Sequence, residues 1–235
     1  MKKKELTLDK IKKALGEAAA KLVKTNMVVG LGSGSTATYF IQALIQRFHK
    51  ENLDISVVAS SKQSEKIATL GGLTILKDTQ FSQLDLVVDG ADEIDPFHRM
   101  IKGKGGAITR EKILAQSTKK LVIIADESKL VPVLGNCSLP IEILSFGSTA
   151  IQKKIQEKGY KGHLRKDKQG NIFVTDNGNY IFDITFPNFF PQPKIHEEAL
   201  LKINGVIETG FLLQKAEILI GSPTETRILK EKKME

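Results

Sequence analysis

With 235 residues, 41% of them apolar and 26% charged, the chain is long enough for one large domain or two small ones around a real core. It has no tryptophan and few aromatics, so the core must be aliphatic, and its single cysteine, Cys137, rules out an internal disulfide. Half of the net charge of +8 sits in residues 1–13, where six lysines face Glu5 and Asp9 without interleaved aromatics or any DNA-reading motif; this argues against nucleic-acid binding.

In chain order, the lysine-rich start "MKKKELTLDKIKKALG" predicts a basic amphipathic first helix. Its charges make a solvated face or a funnel for an anionic substrate. They also interrupt the segment before any apolar stretch of leader length, so no signal peptide is expected. No run approaches 18 apolar residues, so no membrane span is expected either. Short apolar runs follow at 27–32 (MVVGLG), 55–61 (ISVVASS), 73–76 (LTIL), 84–92 (LDLVVDGAD) and 120–128 (KLVIIADES). Helical patterns lie between most of them. Residues 36–51 put Tyr39, Phe40, Ala43, Leu44 and Phe48 on one stripe, "SKQSEKIATLGG" stops at Gly71-Gly72, and "TREKILAQSTKK" ends in lysines that suit a helix C-terminus. Strands alternating with helices predict a mostly parallel α/β sheet covered on both faces.

After about residue 132 the pattern changes. Strand "LPIEILS", helix "STAIQKKIQEKG", strands "GHLRKD" and "IFVTDNGNYIFDITF" about a tight DNGN turn, helix "PKIHEEALLKI" and strand "GVIETGFL" run β-α-β-β-α-β, a small split βαβ domain. "AEILIGS" at 216–222 reads as another strand of the first sheet. The expected domains are therefore 1–132 plus 207–235, interrupted by an inserted α+β domain at 133–206. The final "KEKKME" is expected to fray.

Three stretches carry chemistry. "GLGSGSTA" at 30–37 is a Gly-rich turn between a strand and a helix. It is neither a dinucleotide fingerprint, since Ser35 stands at the third glycine position, nor a P-loop. A plain turn is one reading; a phosphate or polyol cradle, with hydroxyls from Ser33, Ser35 and Thr36, is the other. "KGKGGAITRE" at 102–111 is a second Gly-rich loop, carrying Lys102 and Lys104. If Thr109 caps the following helix, Glu111 lies in its first turn. There the helix dipole favours the ionised carboxylate, as a base or simply as end stabilisation. "VVDGADEID" places four acids in seven positions where a strand ends. Ligands of open parallel sheets sit beyond such strand ends. Close carboxylates repel unless a cation or polar ligand relieves them, and sugar hydroxyls suit them as donors. Lys102 and Lys129 are available cations. Together these suggest proton chemistry on a phosphorylated sugar. His49, His98, His163 and His196 are dispersed, and Cys137 has no histidine nearby, so a metal site is not expected.

In order and spacing, "GLGSGSTA", "DGADEID", "IKGKGGAITREK", "IADESK" and "VTDNGN" resemble the type A ribose-5-phosphate isomerases over residues 9–229. The resemblance implies a Rossmann-like main domain with an inserted ferredoxin-like α+β domain. It implies cofactor-free and metal-free interconversion of D-ribose 5-phosphate and D-ribulose 5-phosphate through an enediol(ate), in the non-oxidative pentose phosphate pathway. It also implies a cytoplasmic homodimer or homotetramer. By the same resemblance, Glu111 is the proton acceptor. Ser33, Gly34, Ser35 and Thr36, then Asp89, Gly90, Ala91 and Asp92, then Lys102, Gly103, Lys104 and Gly105, and finally Lys129, bind the sugar phosphate. Asp89, Asp92 and Lys102 also take part in catalysis, Lys12 matches a lysine near the phosphate, and Glu93 and Asp95 serve local structure. Two other readings remain at this point: a sugar-phosphate sensor of the kind found in transcriptional regulators, and an isomerase of another sugar phosphate. The single helix before the first strand, and the presence of Glu111 and Lys102, favour an enzyme over a sensor.

Overall fold

The computed structural model describes residues 2–77 and 79–230, with side chains from Thr7 onward; most of the final KEKKME lies outside them. In chain order the elements are α1 (Lys2–Ala20), β1 (Val28–Leu31), α2 (Gly34–Glu51), β2 (Ser56–Ala59), α3 (Lys62–Leu70), β3 (Thr74–Ile75), β4 (Leu86–Asp89), β5 (Glu93–Ile94), β6 (Met100–Ile101), α4 (Ile108–Gln116) and β7 (Leu121–Asp126). A 3-10 turn at Glu127–Lys129 leads to β8 (Leu139–Ile143), α5 (Ser148–Glu157), β9 (Lys161–Leu164), β10 (Tyr180–Phe186), α6 (Pro193–Leu201), β11 (Val206–Thr209), β12 (Phe211–Leu212), β13 (Glu217–Gly221) and β14 (Thr226–Ile228). Two compact units divide the chain. The first comprises Met1–Ala91, Arg110–Lys129 and Lys215–Glu231; the second takes Asp92–Thr109 and Leu130–Gln214.

Among the described residues of the first unit, one seven-stranded sheet runs β14-β13-β7-β4-β1-β2-β3. All neighbours are parallel except β14, which returns antiparallel on β13. Every residue of β7, LVIIAD, is buried, as a central parallel strand covered on both faces requires. The chain steps outward from β1 to β2 and β3, then restarts on the other side of β1 with β4. The carboxyl ends of β1 and β4 therefore flank the point where the strand order reverses, and the loops that follow them stand where open α/β sheets bind their ligands.

Helices α1 and α2 cover the sheet with Leu15, Ala19, Phe40, Ile41 and Leu44, all fully buried against Val29, Leu31, Val88 and Ile124. The wide apolar face of α2 includes Ile41, while Tyr39 and Phe48 of the expected stripe are only partly buried. The two helices touch backbone to backbone at Gly16, where a Cβ would stand 2.6 Å from the Tyr39 carbonyl carbon. That contact sets the register: Lys12, one turn before Gly16, falls beside Ser35, one turn before Tyr39. At the end of α1, Arg47 donates to the carbonyl of Ala20, which also accepts from the Val23 N–H, and to that of Val23, and so fastens α2 to the turn that follows α1.

The second unit holds a four-stranded antiparallel sheet, β11-β8-β10-β9, with α5 and α6 as its two helices. This is the split βαβ arrangement expected from the sequence. Its core is built of Leu139, Ile141, Ile143, Phe182, Ile184, Leu200 and Phe211. It also holds a small antiparallel sheet, β12-β6-β5. The sequence pattern places 92–109 and 207–214 in the first domain and starts the insertion at 133, whereas Asp92–Thr109 and Leu130–Gln214 make up the second unit. There β5 and β6 pair with each other and with β12, and Val131 N–H donates to Ile94 C=O, which joins Asp92–Thr109 to the second unit. Two-residue strands are too short to show a period. "GVIETGFL" is likewise two strands. The break comes at Gly210, where a Cβ would lie 2.6 Å from the Lys102 carbonyl oxygen. Residues 172–174 form isolated bridges rather than a regular strand.

Candidate active site

The site in the first unit is assembled from the loops after β1 and β4 and from α4. Gly32 N–H donates to Val88 C=O, continuing the β1–β4 ladder one step past the strand. The chain then turns into α2 through Ser33, whose extended backbone (φ −122°) makes it the N-cap. Its hydroxyl does not cap the helix. It donates instead to Glu111 Oε1 at 2.5 Å. The N–H groups opening α2 are therefore not occupied by the cap side chain, and the first turn holds no acidic residue; such an end favours an anion. Lys12 Nζ donates to Ser35 Oγ at 2.9 Å in that same turn. Gly34 takes φ +82°, in the left-handed region that suits glycine.

Asp89 ends β4 and is 2% exposed. Its Oδ1 accepts from Ser33 N–H at 3.1 Å and from Gly90 N–H at 2.7 Å, tying the β4 loop to the β1 loop. The approach requires Gly32, since a Cβ there would stand 2.2 Å from Asp89 Oδ1. The Gly32 carbonyl is fixed from behind by Ser64 Oγ at 2.7 Å, and Ser64 accepts from Ser61 Oγ at 2.9 Å. Glu111 is 4% exposed and lies in the first turn of α4, as the sequence reading expected. Thr109 is not the cap, however: α4 begins at Ile108, and the Thr109 hydroxyl donates to Glu142 Oε2 at 2.6 Å. Lys129 closes the turn after β7 and is half-buried.

Thus Ser33–Thr36, Asp89–Ala91 and Glu111 are gathered in the first unit by hydrogen bonds and close approach. Lys129 belongs to the same unit. Asp92 and the Lys102–Gly105 loop belong to the second. There Asp92 Oδ2 accepts from Lys104 N–H at 2.9 Å, and Lys102, 5% exposed, donates its N–H to Gly210 C=O at 2.8 Å. Glu93 and Asp95 hold backbone. Glu93 accepts from the amides of Gly135, Asn136 and Cys137, while Asp95 accepts from Phe97 and Arg99 amides and pairs with the Arg99 guanidinium. Burial and the neighbouring Glu93 push the Cys137 thiol well above its ordinary range, so it stays a neutral packing group.

Sequence reasoning missed the second-unit scaffold. Glu142 is fully buried and accepts from Thr109, Thr175, Asn177 and Asn179. "VTDNGN" was a visible signal without an assigned chemistry; three of its side chains serve this carboxylate. Among the described residues, no group of three or more His, Cys, Asp or Glu stands where it could hold a metal ion. The histidines have other contacts: His49 Nε2 meets the Gly71 carbonyl, and His196 Nδ1 meets the Tyr160 hydroxyl.

The family model for ribose 5-phosphate isomerase A (phosphoriboisomerase A) matches residues 56–225. Ribose-5-phosphate isomerase A of Chlamydia felis is 51% identical over 221 residues, covering 94% of each chain. Among solved structures, ribose 5-phosphate isomerase A of Methanocaldococcus jannaschii superposes with a TM-score of 0.89 at 32% identity, over 94% of this chain and 99% of that one. A D-ribose-5-phosphate isomerase in complex with phospho-erythronic acid gives 0.89 at 34% identity, over 94% and 98%. The α/β architecture, the two Gly-rich loops and these matches agree: the chain belongs to the ribose 5-phosphate isomerase A family.

Proposed function

We propose that this chain interconverts D-ribose 5-phosphate and D-ribulose 5-phosphate with Glu111 as the base that carries the proton between C2 and C1. The observation that carries the assignment is the buried Glu111 carboxylate at the start of α4, held at 2.5 Å by Ser33, the residue that opens α2. A base so fixed beside an anion-favouring helix end can act on a sugar whose phosphate lies at that end. Lys12 and Ser35 provide a cation and a hydroxyl there.

The steps balance. The open-chain aldose gives its C2 proton to Glu111, and the electron pair moves through C1–C2 to O1, forming an enediolate. A proton passes from O2 to O1, and Glu111 returns its proton to C1. Asp89, which presents a carboxylate at the end of β4, is assigned to the sugar hydroxyls. On the resemblance of their motifs, Asp92 shares the O1/O2 proton transfer, Lys102 and neighbouring N–H groups stabilise the enediolate charge, and Lys129 contacts the substrate. Phospho-erythronic acid, bound in the related structure, carries a carboxylate beside a phosphorylated polyol. That is the charge pattern of an enediolate.

No metal or organic cofactor enters this scheme. We further assign the chain to the cytoplasm and to a homodimer or homotetramer, without nucleic-acid or membrane partners. One cysteine suits a reducing compartment. No described helix is long and apolar enough to cross a membrane. Exposed Phe146, Phe186, Phe189 and Ile195 offer apolar surface for self-association. Two measurements test the reading. Glu111→Gln should keep the fold and lower kcat by about 10²–10⁴-fold. In heavy water with EDTA, the parent protein should turn over and place deuterium at C2 of recovered ribose 5-phosphate, and the variant should lose both. Normal turnover by the variant removes Glu111 from the mechanism.

A further inference from the structure

The second unit holds a polar anchor under the Lys102–Gly105 loop. One nitrogen of one guanidinium, Arg165 Nη1, donates to the carbonyls of both Gly103 and Lys104, at 3.0 and 2.8 Å. The other edge of Arg165 is committed to Asp183, from Nε at 2.8 Å and Nη2 at 2.5 Å, with the two side chains 16% and 10% exposed. The guanidinium carbon stands 5.9 Å from the centre of the Phe173 ring, and that ring lies against Gly106, where a Cβ would meet it at 2.4 Å. Gly103 and Gly106 take φ +99° and +80°, so the loop has a conformation that few other residues would hold by themselves.

Peptide planarity gives this anchor a consequence. The C=O and N–H of one peptide point in opposite directions. Drawing the Gly103 carbonyl to Arg165 turns the Lys104 N–H away from it, and that N–H donates to Asp92 Oδ2 at 2.9 Å. Drawing the Lys104 carbonyl to the same nitrogen turns the Gly105 N–H away from Arg165 in the same way. We infer that Arg165, aligned by Asp183, is a positioning residue for the reaction: it sets the direction of the loop N–H groups and the place from which Lys102 extends. The inference rests on the role proposed above for the Lys102 loop. It gives Arg165 a part beyond stability, because a fork that takes two carbonyls and a carboxylate at once cannot be reproduced by lysine.

The test measures kcat, KM and melting temperature for Arg165→Met, Arg165→Lys, Lys102→Met, the Arg165→Met/Lys102→Met double variant, and Arg165→Met/Asp183→Leu. The last replaces the whole pair by apolar side chains, so no carboxylate is left buried alone. It should fold and still lose about 10–100-fold in kcat, as expected for a misplaced loop. Arg165→Lys should lose about tenfold or more. In the Lys102→Met background, Arg165→Met should lower kcat by a clearly smaller factor than in the parent protein, while melting-temperature losses add, because the part of its effect that passes through Lys102 is already lost and only the part through the loop N–H groups remains. Folded Arg165→Met/Asp183→Leu protein with parental kcat, or kcat losses that multiply fully in the double variant, would overturn the inference. Parental kcat in Lys102→Met would instead overturn the role of Lys102, and the inference with it.

Discussion

Gly32→Ala is the smallest change that should separate the Asp89 carboxylate from its place. The added methyl would stand 2.2 Å from Asp89 Oδ1, 2.3 Å from its carboxyl carbon and 2.6 Å from its Cα. Carbon atoms rest about 3.5–4.0 Å apart, so something must move by roughly 1 Å. The carboxylate cannot swing aside freely, because it accepts from Ser33 and Gly90 amides. Nor can the β1 loop lift easily, because Gly32 N–H is bonded to Val88 and its carbonyl to Ser64. Overpacking of this kind costs about 1–3 kcal/mol, a melting-temperature drop of about 3–10 °C at this chain length. A displacement of about 1 Å at reacting groups costs about 10²-fold in rate. The assays are calorimetry of the ligand-free protein and kcat/KM for ribose 5-phosphate. Gly34→Ala is the contrast. Nothing lies within 4 Å of its Cβ position, but φ is +82°, so only backbone strain of about 1–2 kcal/mol is expected. A Gly32→Ala protein that melts within about 1 °C of the parent and keeps kcat/KM within about threefold would refute the reasoning.

Lys12→Met should raise KM about tenfold and leave kcat unchanged, with weaker inhibition by inorganic phosphate, since the ammonium on Ser35 serves a phosphate that does not react; an unchanged KM would remove Lys12 from the site. Asp89→Asn and Asp92→Asn should each lower kcat/KM at least about tenfold. Each should also cost about 1 kcal/mol of stability, because each carboxylate accepts charge-assisted bonds from backbone amides; parental kinetics in either variant would make that residue purely structural. Asp85 is held below its ordinary range by Lys119 and the Val28 amide. Its contribution is therefore present above the unfolded carboxylate pKa and is lost as pH falls through the lower folded value. Asp85→Asn should cost less than about 1 kcal/mol at neutral pH, and its difference from the parent in denaturant melts should shrink steadily as pH is taken below the unfolded carboxylate pKa.

How much of this was legible in the sequence differs from element to element. The alternation of strand and helix was readable because a parallel strand buried on both faces must be a continuous apolar run, as in KLVIIADES, and a covering helix must repeat near 3.6 residues. Glu111 in a first helical turn and Ser33 at a strand-to-helix turn were legible for the same reason: both positions follow from local order along the chain. The three-stranded sheet of β5, β6 and β12 was not legible, because two-residue strands have no period, and with it went the boundary at Asp92. Thr109 read as a cap by position, yet its hydroxyl found Glu142 instead. The four donors to Glu142 come from positions 109 to 179, and the carbonyls that hold Arg165 lie more than 60 residues from it. Periodicity is a property of covalent order and survives in the sequence. The partner of a buried polar group is a property of position in space, and only the folded chain decides it.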